Sequence, residues 1–192
     1  MSKLILASVS PQRRDLLSML GIPFQVVSPP FQEPTPRGED PLDFALQLAI
    51  AKARSITPSN SWVLGADTVV ATLDGEILGK PVNADHAGIG LQKLSGRTHH
   101  VITGVCLLSP HGASHTFTSL TEVDMVDLSE SDKTNYLESN DWQNKAGGYA
   151  IQGNAARFVR SIRGSYTNVV GLPLAEVDAL LKQTVLCQAP LD

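Results

Sequence analysis

The chain has 192 residues, of which 42% are hydrophobic and 18% charged, values ordinary for a globular protein with a sizeable core. Its 15 basic and 19 acidic residues give a net charge of -4, which argues against a broad positive surface for duplex nucleic acid or anionic lipid. Positive charge that binds a ligand must therefore be concentrated in a local pocket.

The first third of the chain alternates between strands and helices. Residues 4–7 are a short apolar run typical of a buried strand, and Ser10 followed by Pro11 is a preferred helix start. Gly21 ends this helix, and residues 24–27 predict a second strand. The run at 4–7 is too short for a signal peptide and no stretch has the length of a membrane span, so we expect a cytoplasmic protein.

After a loop rich in proline, Asp40 and Pro41 repeat the helix start signal for a longer amphipathic helix. The remaining strands are predicted at residues 62–66, 69–73, 76–78, 101–108, 116–128 and 158–162. Helices are predicted at about 83–94, 130–138 and 174–182, with a loose tail from about residue 183. Asp74-Gly75 predicts a two-residue hairpin turn. Hairpins mixed with strand-helix-strand units indicate an α/β protein with a mixed sheet.

The junction between the first strand and first helix is a candidate phosphate site. Ser8 and Ser10 stand at a helix N-terminus, where free N–H groups and the helix dipole favour an anion. Arg13 and Arg14 follow at once and add guanidinium donors. An ordinary capped helix with two solvated arginines is the alternative interpretation.

Two acidic residues are candidate metal ligands. Asp67 follows the apolar strand at 62–66, where a carboxylate is costly unless it is paired or bound to a cation. It is a candidate metal ligand or general base, and a turn aspartate that caps local backbone is the alternative. Glu33, in the proline-rich loop, could supply a second carboxylate or be a surface acid.

Two lysines are candidate phosphate ligands. Lys80 follows the predicted hairpin, but the segment from Gly75 fails as a Walker A loop because Pro81 replaces the hydroxyl residue that binds magnesium. Lys52 lies beside the apolar face of its helix and could point inward, although a lysine that extends along the helix edge into solvent is more common.

The segment at 145–153 has three glycines, a pattern that lets backbone approach a flat ligand closely. Gln152 within it can both donate to and accept from a base edge, and a plain glycine turn is the alternative. The five histidines form no zinc motif, and His99 and His100 should point to opposite faces of a strand. Cys106 and Cys187 match no Cys-x-x-Cys motif, so two thiols are favoured over a disulfide.

With these segments in hand, the chain resembles the Maf family of nucleotide pyrophosphatases along nearly its whole length, 1–192, as a single domain. The matching segments are LASVSPQRRDLL (6–17), GADTVV (65–70), GKP (79–81), LSGRTHHVITGV (94–105), KAGGYAIQG (145–153) and GSYTNVVGLPL (164–174). Each segment is modest alone, but their order and spacing are specific.

The resemblance implies an elongated α/β fold around a mixed sheet, with two lobes, a central cleft and a homodimer. It implies a hydrolase that cleaves nucleoside triphosphates between the α and β phosphates with Mg²⁺ or Mn²⁺. Asp67 matches the catalytic acid, and the matching phosphate and metal positions are Ser8, Arg13, Glu33, Lys52 and Lys80. Glu33 and Asp67 would hold the cation, and Arg14 is a weaker candidate for the phosphates.

Three further positions bear on the choice of nucleotide. They are Arg, Thr and Gln in the family branch that prefers dTTP and UTP, and Gln12, Thr68 and Gln152 here. The branch that prefers 7-methyl-GTP has an aromatic residue, Gln and Glu at these positions. A pyrimidine preference is therefore expected, with a shifted range possible because Gln12 fits neither branch. A non-catalytic nucleotide-binding regulator of cell division is the competing hypothesis, and a nucleic-acid-binding module is disfavoured by the acidic balance.

Overall fold

The computed structural model describes residues 3–56 and 60–186, which form a seven-stranded mixed sheet flanked by helices. The strands are β1 (Lys3–Ala7), β2 (Phe24–Val27), β3 (Ser61–Thr72), β4 (Ile77–Leu78), β5 (Thr98–Leu108), β6 (Ser114–Met125) and β7 (Val159–Arg163). The helices are α1 (Pro11–Ser18), α2 (Pro41–Ser55), α3 (Ala84–Leu94), α4 (Glu130–Glu138), α5 (Tyr166–Val170) and α6 (Leu174–Leu181).

The strand order is β2-β1-β3-β5-β6-β7, and the short β4 pairs with β3. Strand β1 runs parallel to both β2 and β3, whereas the pairs from β3 through β7 are antiparallel. The predicted α/β class with a mixed sheet is therefore confirmed. No helix in the described part of the chain is long and apolar enough to cross a membrane.

The helix starts predicted from local signals are confirmed. The side chain of Ser10 accepts from the backbone N–H of Arg13, and Pro11 is the first residue of α1. Asp40 caps α2 in the same way, and Asn83 caps α3. These caps satisfy N–H groups that a helix cannot pair internally, so short-range sequence is enough to place them.

The predicted break within the third strand is wrong. Residues 62–66 and 69–72 belong to one continuous strand, β3, which pairs with β5 from Val63 to Thr72 and is buried on both faces over most of its length, and residue 73 lies in the turn that follows. Asp67 therefore lies in the middle of a strand, opposite Gly104, and not at a strand end. The long partner β5 holds the backbone extended through the polar residues.

The turns also differ from the predictions in detail. Three residues, 73–75, lie between Thr72 and Glu76, whose backbones are hydrogen-bonded, so the hairpin has no two-residue turn. Gly75 takes a positive φ of 90°, as expected for a three-residue loop that ends in a left-handed residue. Strand β5 begins three residues earlier than predicted, β6 ends three residues earlier, and β7 is displaced by one.

The core has two large apolar clusters, and both include residues of the long strands β3 and β5. One packs α3, α4 and the short 3-10 turns at Ala146–Gly148 and Asn154–Phe158 against the sheet. The other packs α1 and α6 against β1 and β3.

Helix α2 lies unusually close to the sheet. A Cβ atom added at Gly104 would come within 2.6 Å of the Cα of Leu46, and one added at Gly65 would come within 2.8 Å of the backbone nitrogen of Ala53. Both glycines lie in the middle of buried strands, so the missing side chains allow the helix backbone to contact the strands directly. The position of α2 on the sheet is thereby fixed.

The carboxyl-terminal predictions are only partly covered by the described residues. Residues 182–186 continue α6 as a wider helical turn, and the rest of the tail predicted from about residue 183 lies outside the described residues. Cys187 lies outside them as well. Cys106 is a buried free thiol in β5, and burial raises its pKa.

Candidate functional site

A cavity of about 650 Å³ is lined by residues from several strands, helices and loops. It is formed by the β1–α1 junction, the proline-rich loop, one face of α2, the middle of β3 and the glycine-rich segment. Among the residues that line it are nine predicted from the sequence: Ser8, Gln12, Arg13, Glu33, Lys52, Asp67, Thr68, Lys80 and Gln152. The volume lies within the range of pockets that hold small organic ligands.

Arg14 is the predicted site residue that the structure does not bring to this cavity. Its guanidinium donates to Oδ1 of Asp15 at 2.9–3.0 Å, and both side chains are more than half exposed. Adjacent side chains of α1 point about 100° apart, and that of Arg14 faces solvent on a side of the helix that does not line the cavity. A substrate role for Arg14 has no support from this geometry.

Four charged side chains form one cluster at the centre of the cavity. The ammonium of Lys52 donates to Oδ1 of Asp67 and, at 2.6 Å, to Oε1 of Glu33. The ammonium of Lys80 donates to Oε2 of Glu33 at 2.7 Å. Lys52 and Asp67 are only 6% and 4% exposed, so each provides the opposite charge that the other needs in a buried position. Lys52 points inward and not along the helix edge into solvent.

Glu33 is held as a carboxylate by its two lysines. Burial alone raises the pKa of a carboxyl group, but the hydrogen bonds and charges of Lys52 and Lys80 outweigh burial here and lower the pKa of Glu33 to about 2. Glu33 therefore stays ionised at neutral pH, although its loop position gave only a weak indication in the sequence.

Arg13 crosses the cavity floor in a fixed orientation. Its Nε donates to the backbone carbonyl of Gly171 at 2.8 Å, and its Nη2 donates to Oγ1 of Thr68 at 2.9 Å. Burial lowers the pKa of Arg13, while the charges of Asp67 and Glu33 raise it. A guanidinium has five N–H donors, so donors remain for an anion in the cavity.

The helix N-terminus at the cavity is organised by hydroxyl groups. The backbone N–H of Ser10 donates to Oγ of Ser8 at 3.1 Å, and Oγ of Ser10 donates to Oε1 of Gln12 at 3.1 Å. Ser8 is buried, and Ser10 and Gln12 are partly exposed. Bonds within the turn already engage the backbone N–H groups of Ser8, Ser10 and Arg13, and the turn places the N-terminal end of α1 beside the cavity.

The glycine-rich segment forms the opposite wall. Gly147 takes a φ of 66° and packs so close to β3 that an added Cβ would lie 2.9 Å from a methyl group of Val70. Gln152 lies exposed at the cavity, and Lys145 and Tyr149 also line it. These last two were not selected from the sequence as site residues, although the surrounding glycines marked the segment.

Tyr149 anchors this wall to β5. Its hydroxyl lies 2.7 Å from Nε2 of His99, and the two rings are perpendicular at a centroid distance of 5.4 Å. Burial and the neighbouring His100 lower the pKa of His99 from 6.5 to about 4, against the opposing effects of the Arg97 backbone and Asp124. The imidazole is therefore neutral at physiological pH.

The depressed pKa of His99 predicts a pH-dependent loss of stability. Between pH 6.5 and 4 the unfolded chain binds a proton at this position that the folded protein does not, so stability is complete above pH 6.5 and falls as the pH decreases. Across this range we expect the free energy of unfolding of wild type to fall by about 3 kcal/mol more than that of His99→Gln. Urea unfolding at pH 7.5 and 4.5 measures it.

The control for this prediction is His111→Gln, which replaces an exposed histidine in the β5–β6 turn and should keep the wild-type dependence. If the free energy of unfolding changed equally with pH in wild type and His99→Gln, the depressed pKa of His99 would be contradicted.

The acidic residues of the cavity suit a hard divalent cation that also binds phosphate. Within residues 3–56 and 60–186, no three His, Cys, Asp or Glu side chains converge in a metal-binding group. Asp67 and Glu33 do share one cavity and one lysine, and two carboxylates are a usual protein contribution to Mg²⁺ held with substrate phosphates. The residues present therefore fit such a cation.

Comparisons with known proteins show the family to which the chain belongs. Residues 3–184 match the family model described as Maf-like protein. A dTTP/UTP pyrophosphatase of Nitratidesulfovibrio vulgaris is 47% identical over 98% of this chain and 91% of its own length. One from Bacillus cereus is 44% identical over 95% of this chain and 96% of its own.

A solved structure of a HAM1 protein from Coxiella burnetii aligns with a TM-score of 0.54 and 15% identity, covering 96% of this chain and 100% of that one. At that identity the likeness concerns the fold alone. The match of residues 3–184 to the family model, together with relatives more than 40% identical over nearly the whole length, shows that this chain belongs to the Maf family.

Proposed function

We propose that this protein hydrolyses nucleoside triphosphates to the monophosphate and pyrophosphate, as a nucleotide diphosphatase. The observation that carries the proposal is the convergence of Arg13, Lys52 and Lys80 with the buried Asp67 in one cavity. The names of the relatives, dTTP/UTP pyrophosphatases, support it.

The reaction needs a water molecule directed at the α phosphorus and positive charge around the leaving pyrophosphate. In the described part of the chain, Lys52 engages Oδ1 of Asp67, which leaves Oδ2 to orient water and accept its proton. As water oxygen bonds to the α phosphorus, the bond to the α–β bridging oxygen breaks. Arg13 and Lys80 then offset the charge that develops on pyrophosphate.

We propose that Asp67 and Glu33 hold the divalent cation, Mg²⁺ or Mn²⁺. When bound, the cation supplies positive charge to the phosphate oxygens and lowers the pKa of coordinated water. Lys52 contacts both carboxylates and so keeps them together. The same contact offsets the repulsion between the two carboxylates.

We propose dTTP and UTP as the preferred substrates. Gln12, Thr68 and Gln152, the positions associated with base choice, all line the cavity, and Gln152 is exposed there with an amide that can both donate and accept. Oγ1 of Thr68 accepts from Arg13, and Oε1 of Gln12 accepts from Ser10, so those two side chains are already held.

Pyrophosphate release measured with a panel of nucleotides tests the proposal. The panel contains dTTP, dUTP, UTP, 5-methyl-UTP, CTP, GTP and 7-methyl-GTP, each with Mg²⁺, with Mn²⁺ and with EDTA. We expect hydrolysis of pyrimidine triphosphates with either cation and none with EDTA. Nucleotide binding without turnover would instead favour a regulatory protein, and a preference for 7-methyl-GTP would move this chain to the other branch.

We further propose that the protein is a cytoplasmic homodimer, as the family resemblance implies. Light scattering coupled to size-exclusion chromatography measures the mass directly, and a 20.5 kDa species at micromolar concentration would contradict the dimer.

A further inference from the structure

Thr103 lies in β5 directly behind the cavity. The strand register places it opposite Thr68 of β3, and its side chain is fully buried. Oγ1 of Thr103 is 2.9 Å from Oγ1 of Thr68 and 3.3 Å from the backbone carbonyl of Asn168. Thr103 does not itself line the cavity, so any effect it has on a ligand must pass through the groups that it contacts.

The direction of these hydrogen bonds follows from the donors. Arg13 can only donate, so Oγ1 of Thr68 must accept from it. The proton of Thr68 then has two acceptors within reach, Thr103 at 2.9 Å and the carbonyl of Gly171 at 3.4 Å. The nearer acceptor gives a single hydrogen-bond chain in which each of the two hydroxyls both accepts and donates.

This chain runs from the guanidinium of Arg13 through Thr68 and Thr103 to the carbonyl of Asn168. Hydrogen bonds aligned in one direction polarise one another, and buried networks of this kind fix a single arrangement when every member is satisfied. The carbonyl of Asn168 also accepts from the N–H of Gly171, which makes it a firm end point.

The Asn168 end of this hydrogen-bond chain is fixed to the sheet. The side-chain amide of Asn168 donates at 3.0 Å both to the carbonyl of Val101 and to Oγ1 of Thr121. Asn168 belongs to α5. Three residues later in the sequence, the carbonyl of Gly171 accepts from Nε of Arg13. The two groups that accept from Arg13, the carbonyl of Gly171 and the hydroxyl of Thr68, are therefore both connected to Asn168.

We propose that Thr103 is a positioning residue for phosphate binding: its hydroxyl sets the direction of the Thr68 hydroxyl and so fixes the guanidinium of Arg13. The proposal rests on the proposed function only in identifying the bound anion as a nucleotide phosphate. Without the Thr103 hydroxyl, Thr68 turns its proton to the carbonyl of Gly171 and competes there with Nε of Arg13.

Two substitutions separate the hydroxyl from the volume of the side chain. Thr103→Val keeps the shape and removes the hydroxyl, whereas Thr103→Ser keeps the hydroxyl and removes a methyl group. We expect Thr103→Val to raise KM for UTP about tenfold, in line with the loss of one hydrogen bond, with a smaller change in kcat. Thr103→Ser should stay within about twofold of wild type. A packing role predicts the reverse order and would overturn the proposal.

The Arg13→Ala background gives a second readout. If Thr103 acts through Arg13, adding Thr103→Val to Arg13→Ala should leave KM unchanged, because the guanidinium that it orients is gone. A further tenfold rise in that background would contradict the proposal. If Thr103→Val does not fold, Thr103→Ala and Thr103→Ser make the same comparison, since both leave space and only one has the hydroxyl.

Calorimetry with the non-hydrolysable α,β-imido analogue of UTP distinguishes the two possible failures. Wild type that binds the analogue without hydrolysing any triphosphate would refute the proposed function, and a tenfold weaker Kd for Thr103→Val would still support the positioning role. Active wild type with equal Kd and KM for the valine variant would refute the positioning role alone.

Discussion

We expect Asp67→Asn to lower kcat for pyrophosphate release by about a thousandfold, while the protein stays folded. An amide cannot accept the proton of water or carry the negative charge that holds a cation, and a positioned general base contributes about 10² to 10⁴ in rate. Asp67 is buried beside Lys52, so its charge faces the cavity cluster and little else. The measurement is steady-state kinetics with UTP and Mg²⁺.

Asp15→Asn is the matched control, since it removes an exposed carboxylate from α1 that pairs with Arg14 outside the cavity. It should leave kcat and KM within about twofold of wild type. Because Lys52 keeps Glu33 as a partner, we expect Asp67→Asn to retain a cooperative thermal transition. Pyrophosphate release at the wild-type rate by Asp67→Asn would remove the basis of the proposed mechanism.

The largest effect on stability is expected from Gly104→Ala. The added Cβ would come within 2.6 Å of the Cα of Leu46, and backbone atoms of α2 cannot move aside as a flexible side chain can. We expect the free energy of unfolding to fall by about 3 kcal/mol, the upper part of the usual range for overpacked cores. Urea denaturation followed by circular dichroism measures this change.

Gly79→Ala is the control, because an added Cβ there meets no atom within 4 Å and the backbone does not take a positive φ. Its free energy of unfolding should stay within about 0.5 kcal/mol of wild type. Equal stability of Gly104→Ala and Gly79→Ala would contradict the close contact between α2 and β5. Since α2 carries Lys52, any Gly104→Ala protein that folds should also show a raised KM.

Local sequence was sufficient for the longer helices, whereas the five-residue helix α5 was not predicted. Ser10-Pro11 and Asp40-Pro41 determine helix starts through hydrogen bonds that reach only two or three residues, and both were confirmed. The long strand β3 could not be predicted in the same way. Its continuity through Asp67 depends on pairing with β5, and that partner lies more than thirty residues away in the chain.

The residues of the candidate site also divide into those that local sequence indicates and those that depend on distant partners. Asp67 could be selected because a carboxylate among apolar residues is costly, and this argument needs no knowledge of its partner. The inward direction of Lys52 could not be derived, since it depends on acceptors contributed by β3 and by the loop of Glu33. Thr103 gave no signal, because a threonine in a strand is typical of strands whatever its hydroxyl contacts.

Arg13 and Lys52 are each held by two acceptors of the protein itself, the first on the carbonyl of Gly171 and the hydroxyl of Thr68. Their long side chains have thus lost most of their rotational freedom before a ligand enters. Immobilising such a side chain on binding costs about 0.5–1.5 kcal/mol, and here that cost falls on folding. Association with a phosphate chain should therefore proceed with little loss of side-chain entropy, so that weak individual contacts suffice for useful affinity.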